Sequence, residues 1–313
     1  MTDTPVRPEA RPQEPAPAKP GLSEIAAQIP DRHVPRRIGP RVARVGRHVA
    51  LIAFGLVMLY PLLWMLSSSF KPTELIFREP GLLPTEWDFT NYTEGWNALL
   101  HPFHHYLLNS ALVVLGSVIG NLVSCSMAAY AFARLKFRGR GIWFAVMLMS
   151  IMLPIHVVIV PQYILFSSLE WINTFLPLIV PKILATDAFF IFLMVQFFRG
   201  IPKELDEAAR LDGCGHGRIF LRIMLPLSLP ALATTAIFTF IWTWNDFFSQ
   251  LIFLTRPDMY TVPIALRTFV DATSNSSWGP LFAMSIVSLV PVFVIFLFGQ
   301  KYLVKGIATT GIK

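Results

Sequence analysis

Apolar residues along this chain gather into long runs separated by shorter polar stretches. Six runs stand out, at about 49–70, 106–133, 142–165, 177–198, 231–254 and 280–300, each near the ~20 residues needed to cross the hydrocarbon core of a bilayer. The pattern predicts an all-α membrane protein with six transmembrane helices. The fourth run is the least regular, because Pro177, Pro181, Lys182 and Asp187 interrupt its outer half. In the third, Pro154 and Pro161 remove backbone donors and predict a kink or a break, tolerated where the freed carbonyls are buried or face a cavity. His156, Gln162 and Tyr163 lie nearby and either line a path or satisfy those carbonyls. In the second, Gly116, Gly120 and Ser124 recur every fourth residue and form a ridge that lets another helix approach closely. The first run is too long for a signal-peptide h-region and Ser67-Ser-Ser-Phe70 lacks a cleavage pattern, so it reads as a retained span.

Composition agrees with a membrane protein. Hydrophobic residues make up 54% of the chain and charged ones only 14%, against about 25% charged in soluble domains. Arg36, Arg37, Arg41, Arg44 and Arg47 precede the first run, Lys136, Arg138 and Arg140 crowd the second connection, and Arg199, Lys203, Arg210, Arg218 and Arg222 mark the fourth. The alternate connections hold acids such as Glu74, Glu86, Asp88, Glu94 and Glu170. The positive-inside rule then places both termini in the cytoplasm. The net charge of +7 follows from this bias and from anionic headgroups, so no nucleic-acid partner is inferred and membrane lipid is. Residues 1–45, rich in Pro, Ala and Arg, read as a disordered cytoplasmic tail, and 46–313 as the transmembrane domain. Lys71 to Tyr106 reads as an outer loop carrying Trp87, Tyr92 and Trp96. It is either a surface for an external partner or a solvated loop with interfacial aromatics. His101, His104 and His105 lack a zinc-type spacing and nearby acids, so no metal and no cofactor are expected. The two cysteines, Cys125 and Cys214, fall at different membrane levels and imply no disulfide.

The fifth run carries a polar stripe. Thr235, Thr239, Thr243, Asp246 and Gln250 share a narrow arc of a helical wheel with Trp242 at its edge. Such a stripe is costly in lipid unless it faces protein or water. It either lines a solute path, with hydroxyls, amide and carboxylate for sugar hydroxyls and an indole for stacking, or bonds neighbouring helices. Asp187 is a second intramembrane carboxylate with the same two readings.

The fourth connection, 199–230, is the most telling. Pro202 suits a first helical turn, Glu204, Asp206 and Glu207 favour the positive end of the helix dipole, and Gly213 supplies a stop. Helical spacing puts Leu205, Ala208, Ala209 and Asp212 on one face, nearly bare of bulk, with Asp206, Glu207 and Arg210 on another. By itself this is either an ordinary cytosolic loop or a helix shaped to be docked against.

Glu207-Ala208-Ala209, Gly213 and the later Leu225-Pro226 resemble the signature loop of the membrane subunits of ATP-binding-cassette importers. Ile201-Pro202, Glu204-Leu205 and Asp212 narrow the resemblance to the carbohydrate-uptake branch, in particular its maltose-type second permease. Asn109-Ser110, Ala128 to Arg134 and Trp244-Asn245 are also similar to that family. The resemblance implies a type I importer permease fold in the inner membrane of a prokaryote. It implies a coupling helix in which Glu207, Ala208, Ala209, Asp212 and Gly213 meet an ATPase, and in a permease the stripe of Thr235, Thr239, Trp242, Thr243, Asp246 and Gln250, read from its own periodicity, is the candidate solute path. Implied partners are a homologous second permease, two ATPase subunits, an extracytoplasmic solute-binding protein and a carbohydrate. No Gly-x-x-x-x-Gly-Lys-Ser/Thr loop occurs in the sequence, so ATP hydrolysis is expected on another chain. Alternatives are a permease for a non-sugar solute, a membrane-embedded enzyme using His156 with Asp187 or Asp246, and a passive channel.

Overall fold

The computed structural model describes residues 40–270 and 277–308, and among them all regular structure is helical, with no strand. The chain divides into two compact units, 1–58 and 59–313. The first contributes the start of α1 (Pro40–Ser68), on which Leu51, Ile52, Phe54 and Val57 are exposed. Of the expected tail, residues 1–39 lie outside the described residues, and 40–45 already belong to α1.

In the second unit the chain continues through α2 (Thr90–Asn97), α3 (Phe103–Arg134), α4 (Arg140–Ser150), α5 (Ile155–Ser168), α6 (Leu176–Ile183) and α7 (Ala188–Gly200). The short α8 (Glu204–Leu211) leads to α9 (His216–Leu227), α10 (Leu229–Trp244), α11 (Phe248–Phe253), α12 (Val262–Arg267) and α13 (Trp278–Ala308).

Four stretches are long and apolar enough to cross a membrane, Arg44–Ser68, Phe103–Arg134, Leu176–Gly200 and Trp278–Lys301. The expected six are reached only if the bent pairs α4 with α5 and α9 with α10 each count as one span. The third run is broken, with α4 and α5 meeting at 102°. Pro154 causes this: it stands extended at ψ 135° and disfavours helix in the residue before it. Pro161 stays inside α5. The fifth run also differs from one helix over 231–254, because α10 stops at Trp244 and α11 begins only at Phe248.

Helix α3 is the element against which α6, α7 and α10 pack. The ridge of small residues explains the first of these contacts. A Cβ on Gly116 would fall 2.9 Å from Ile179 Cδ1 and one on Gly120 2.6 Å from Ile183 Cγ1, and Ser124 Oγ donates to the Lys182 carbonyl at 2.7 Å. Two apolar clusters extend this packing. One joins Cys125, Ala129 and Tyr130 to Phe190, Met194 and Phe198, and the other joins Phe103 and Tyr106 to Trp244, Ala265 and Met284.

The connections expected on the outer side fold back on the spans. Lys71 is buried, and its ammonium donates to the carbonyls of Glu79 at 2.7 Å and Gly81 at 2.6 Å. Asn91 donates to the carbonyl of Lys71 at 2.8 Å, and Tyr92 shares a hydrogen bond with Ser69. Asn109 donates to the carbonyls of Asp258 at 3.0 Å and Tyr260 at 2.8 Å, and the Val262 N–H donates to Ser110. His105 bonds the Asp258 carbonyl and His104 stacks on Trp96, so these histidines have structural work. The Arg256 guanidinium, 2.6 Å from Asp258, holds that carboxyl below the usual range.

Candidate functional site

Two places gather the residues singled out from the sequence. The first is α8. Arg134, the last residue of α3, lies with its side chain almost wholly buried, its Nε 3.4 Å from Asp206 Oδ2 and its Nη2 donating to the Ile201 carbonyl at 2.5 Å. The remaining oxygen of Asp206 is buried without a hydrogen-bond partner among the described residues. A charged group taken out of water is stable only beside its counterion, so this pair fixes which face of α8 turns inward. Ala209, one turn on, continues that face into the core beside Tyr130 and Met224.

The face assignment expected from the sequence is therefore corrected. Ala208 and Ala209 part: Ala209 is buried in the chain's own core, while Glu207, Ala208, Asp212 and Gly213 are exposed, with Leu205 and Leu211 also outward. Asp206, grouped there with the charged outer residues, is buried. Arginine at the end of the preceding span, not the spacing of α8 itself, decides the orientation.

Gly213 sits at φ +78° in open space, and its N–H donates to the Arg210 carbonyl. Its requirement is conformational, since left-handed backbone penalises any Cβ. Gly213→Val is expected to destabilise by about 1–2 kcal/mol, read as a lowered melting temperature in detergent. An unshifted melt would mean the turn relaxes.

The second place lies where α3, α6, α7 and α10 meet. Asn121, fully buried on α3, donates to Asp187 Oδ2 at 2.9 Å and to Thr239 Oγ1 at 2.9 Å, and its Oδ1 accepts from Cys125. Lys182 closes the network with its Nζ 2.8 Å from the same Asp187 oxygen, both side chains about a quarter exposed at 28% and 24%. The pair spans the break between α6 and α7, where Ala185 holds a left-handed φ of 56°.

Beside this network opens a cleft of about 570 Å³ lined by Lys182, Trp242, Thr243, Asp246 and Gln250 among others. Trp242 is half exposed, and its indole is held by Phe189, Phe190 and Phe238 at ring distances of 5.5, 5.0 and 5.9 Å. Asp246 accepts the Ser249 N–H at 3.1 Å, and Gln250, buried, donates to the Thr243 carbonyl at 3.1 Å and accepts from Thr261.

The predicted stripe is thus divided. Trp242, Thr243, Asp246 and Gln250 reach the cleft, but Asp246 and Gln250 do so through the turn after α10 and through α11, not along one helix. Thr239 is a buried partner of Asn121, and the buried Thr235 hydroxyl has no partner among the described residues. Neither lines the cleft. Sequence reasoning missed Asn121 and Lys182. An amide inside an apolar run was the available signal for the first, and Lys182 was read only as an interruption.

Comparison with known proteins gives consistent findings. The family described as "Binding-protein-dependent transport system inner membrane component" matches residues 120–309. A probable ABC transporter permease, YurM of Bacillus subtilis, is 36% identical over 91% of this chain and 95% of its own length. The arabinooligosaccharides transport system permease AraQ of Halalkalibacterium halodurans is 34% identical over 84% of this chain and 94% of its own. The diacetylchitobiose uptake system permease NgcG of Streptomyces coelicolor is 32% identical over 83% of this chain and 86% of its own. Among solved structures, a chain of a bacterial ABC transporter involved in the import of alginate superposes with a TM-score of 0.74. It covers 84% of this chain and 97% of itself at 24% identity, which speaks to the fold alone.

Proposed function

The chain belongs to the family of binding-protein-dependent transport system inner membrane components, and from that premise we propose that it is the carbohydrate-conducting permease of an importer whose ATP is hydrolysed on partner chains. The relatives' names, for arabinooligosaccharides and diacetylchitobiose uptake, support a saccharide as the solute. In this reading the chain pairs with a second, homologous permease, two ATPase subunits and an extracytoplasmic solute-binding protein. Both termini and α8 lie on the cytoplasmic side of a prokaryotic inner membrane, on the strength of the basic connections.

One observation carries the coupling role. The exposed edge of α8 presents Glu207, Ala208, Asp212 and Gly213, while its inner edge is tied to the end of α3 by Arg134 and Asp206. A partner that moves α8 therefore moves α3, and α3 holds both α6 and α10 at the cleft. Alternating access needs such a rigid link between the driven surface and the path. At the cleft, the fixed Trp242 face suits the apolar face of a sugar ring, and Asp246, with one oxygen left over, suits its hydroxyls.

Glu207→Lys reverses a charge on the exposed edge without touching the core. ATP-dependent saccharide uptake by the reconstituted assembly is expected to fall about tenfold or more, a loss of roughly 1.4 kcal/mol in coupling, while the chain still inserts. Unchanged uptake would sink the docking role. A panel of oligosaccharides, amino acids and polyamines offered to the native assembly separates a sugar path from other solutes.

A further inference from the structure

The connection between α3 and α4 carries Lys136, Arg138 and Arg140 with no acid between Leu135 and Leu169. Neighbouring cations are already engaged. Arg134 is held by Asp206 and the Ile201 carbonyl, and Arg199 lies 5.0 Å over the Phe144 ring. The side chains of Lys136 and Arg138 are exposed and have no partner among the described residues, and the Arg140 guanidinium gives one bond there, to the Leu135 carbonyl at 3.2 Å.

Phe137, between Lys136 and Arg138, also lines a groove of about 540 Å³ bounded by α3, α4 and α7. Its wall includes Phe132, Phe137, Trp143, Val146, Met147 and Ile191. Phe137 belongs to the basic connection itself, and Gly139, between the two arginines, lies against the Trp143 indole, which is 61% exposed. On α4 the lining residues run from Trp143 to Ser150, so the groove follows that helix for ~10 Å. That length fits within one leaflet, about half of the ~30 Å hydrocarbon core. The basic bias of the connection accounts for its side of the membrane, but not for an aromatic-walled groove that includes Phe137, set between two of its cations.

We propose that this groove and its basic rim bind one anionic phospholipid, with the headgroup phosphate on Lys136, Arg138 and Arg140 and an acyl chain along Phe137, Trp143 and Met147. Charge complementarity selects the occupant, since a neutral lipid leaves the exposed cations unmatched. Near a membrane surface each cation favours an anionic lipid by about fivefold.

The test uses the complete transporter reconstituted in phosphatidylcholine vesicles doped with brominated phosphatidylglycerol or brominated phosphatidylcholine. Quenching assigned to Trp143 is the difference between the native assembly and Trp143→Phe. The expected result is that the anionic lipid quenches with an apparent affinity about a hundredfold above the neutral one, about fivefold for each of the three cations. Lys136→Gln/Arg138→Gln/Arg140→Gln should bring the two together. Arg138→Gln alone, at an exposed position, should lower the preference by about fivefold and guards against misfolding of the triple variant. Equal quenching in the native assembly, or a preference that survives all three changes, would overturn the proposal. So would the absence of quenching by either lipid, which would mean that another protein chain fills the groove.

Discussion

Arg134→Ala is expected to destabilise the chain by about 3–5 kcal/mol, because it leaves the carboxylate of Asp206 buried without its counterion. Asp206 is 7% exposed, and one of its oxygens has no hydrogen-bond partner among the described residues even in the native protein, so Arg134 is what compensates it. The same substitution frees the Ile201 carbonyl that caps the approach to α8. The predicted consequence is a loss of folded material in fluorescence-detected gel filtration and a melt lowered by several degrees. Arg134→Met combined with Asp206→Leu is the informative partner variant. Replacing both charges with apolar side chains of similar volume is commonly neutral for stability, so the double variant should recover the melt. Its uptake then reports whether the ion pair, rather than packing alone, keeps α8 aligned with α3. If Arg134→Ala melts like the native chain, the pair does not orient α8.

What the sequence conveyed and what it withheld divide along physical lines. Hydrophobic runs are set by chain-local burial in lipid, so α3 was legible to within a few residues at both ends, whereas α1 begins well before its apolar run and α13 continues well past its own. The breaks within the third and fifth runs were less so, because hydropathy averaged over a window does not resolve a turn of a few residues. Pro154 announced its break, and Asn245-Asp246, turn-forming residues directly after Trp244, mark the end of α10, but the carboxylate reads equally as part of a polar stripe on a continuous helix. Glu207, Ala208 and Gly213 were legible from motif and capping chemistry. The inward turn of Ala209 was not, since a helical wheel has no zero angle until a residue elsewhere, here Arg134, supplies one. The cleft shows the same limit. Trp242, Asp246 and Gln250 were found as polar residues in an apolar run, whereas their relation to Lys182 depends on the break between α6 and α7 and on α6 and α10 both packing against α3.

Asn121→Leu carries the second large expectation. The asparagine has no exposed surface, and its amide is shared between a carboxylate on the α7 side of the break and a hydroxyl on α10. An apolar side chain of similar size leaves Thr239 without its donor and Asp187 with Lys182 alone. The buried Thr239 hydroxyl left short costs about 1–3 kcal/mol and the partly exposed Asp187, still paired with Lys182, costs less, so a loss of roughly 2–4 kcal/mol is expected. Thr239→Val should cost less, near 1 kcal/mol, because Asn121 then keeps Asp187. Adding Thr239→Val to Asn121→Leu should therefore cost little more, and the cycle isolates the shared bond. Transport should suffer beyond stability, for Lys182 faces the cleft only as Asp187 holds it, and Asp187 is held in turn by Asn121. Uptake measured at equal amounts of folded assembly separates the two effects. Equal melts for Asn121→Leu and the native chain would show that the network does not join these helices, and full uptake at reduced stability would confine it to a structural role.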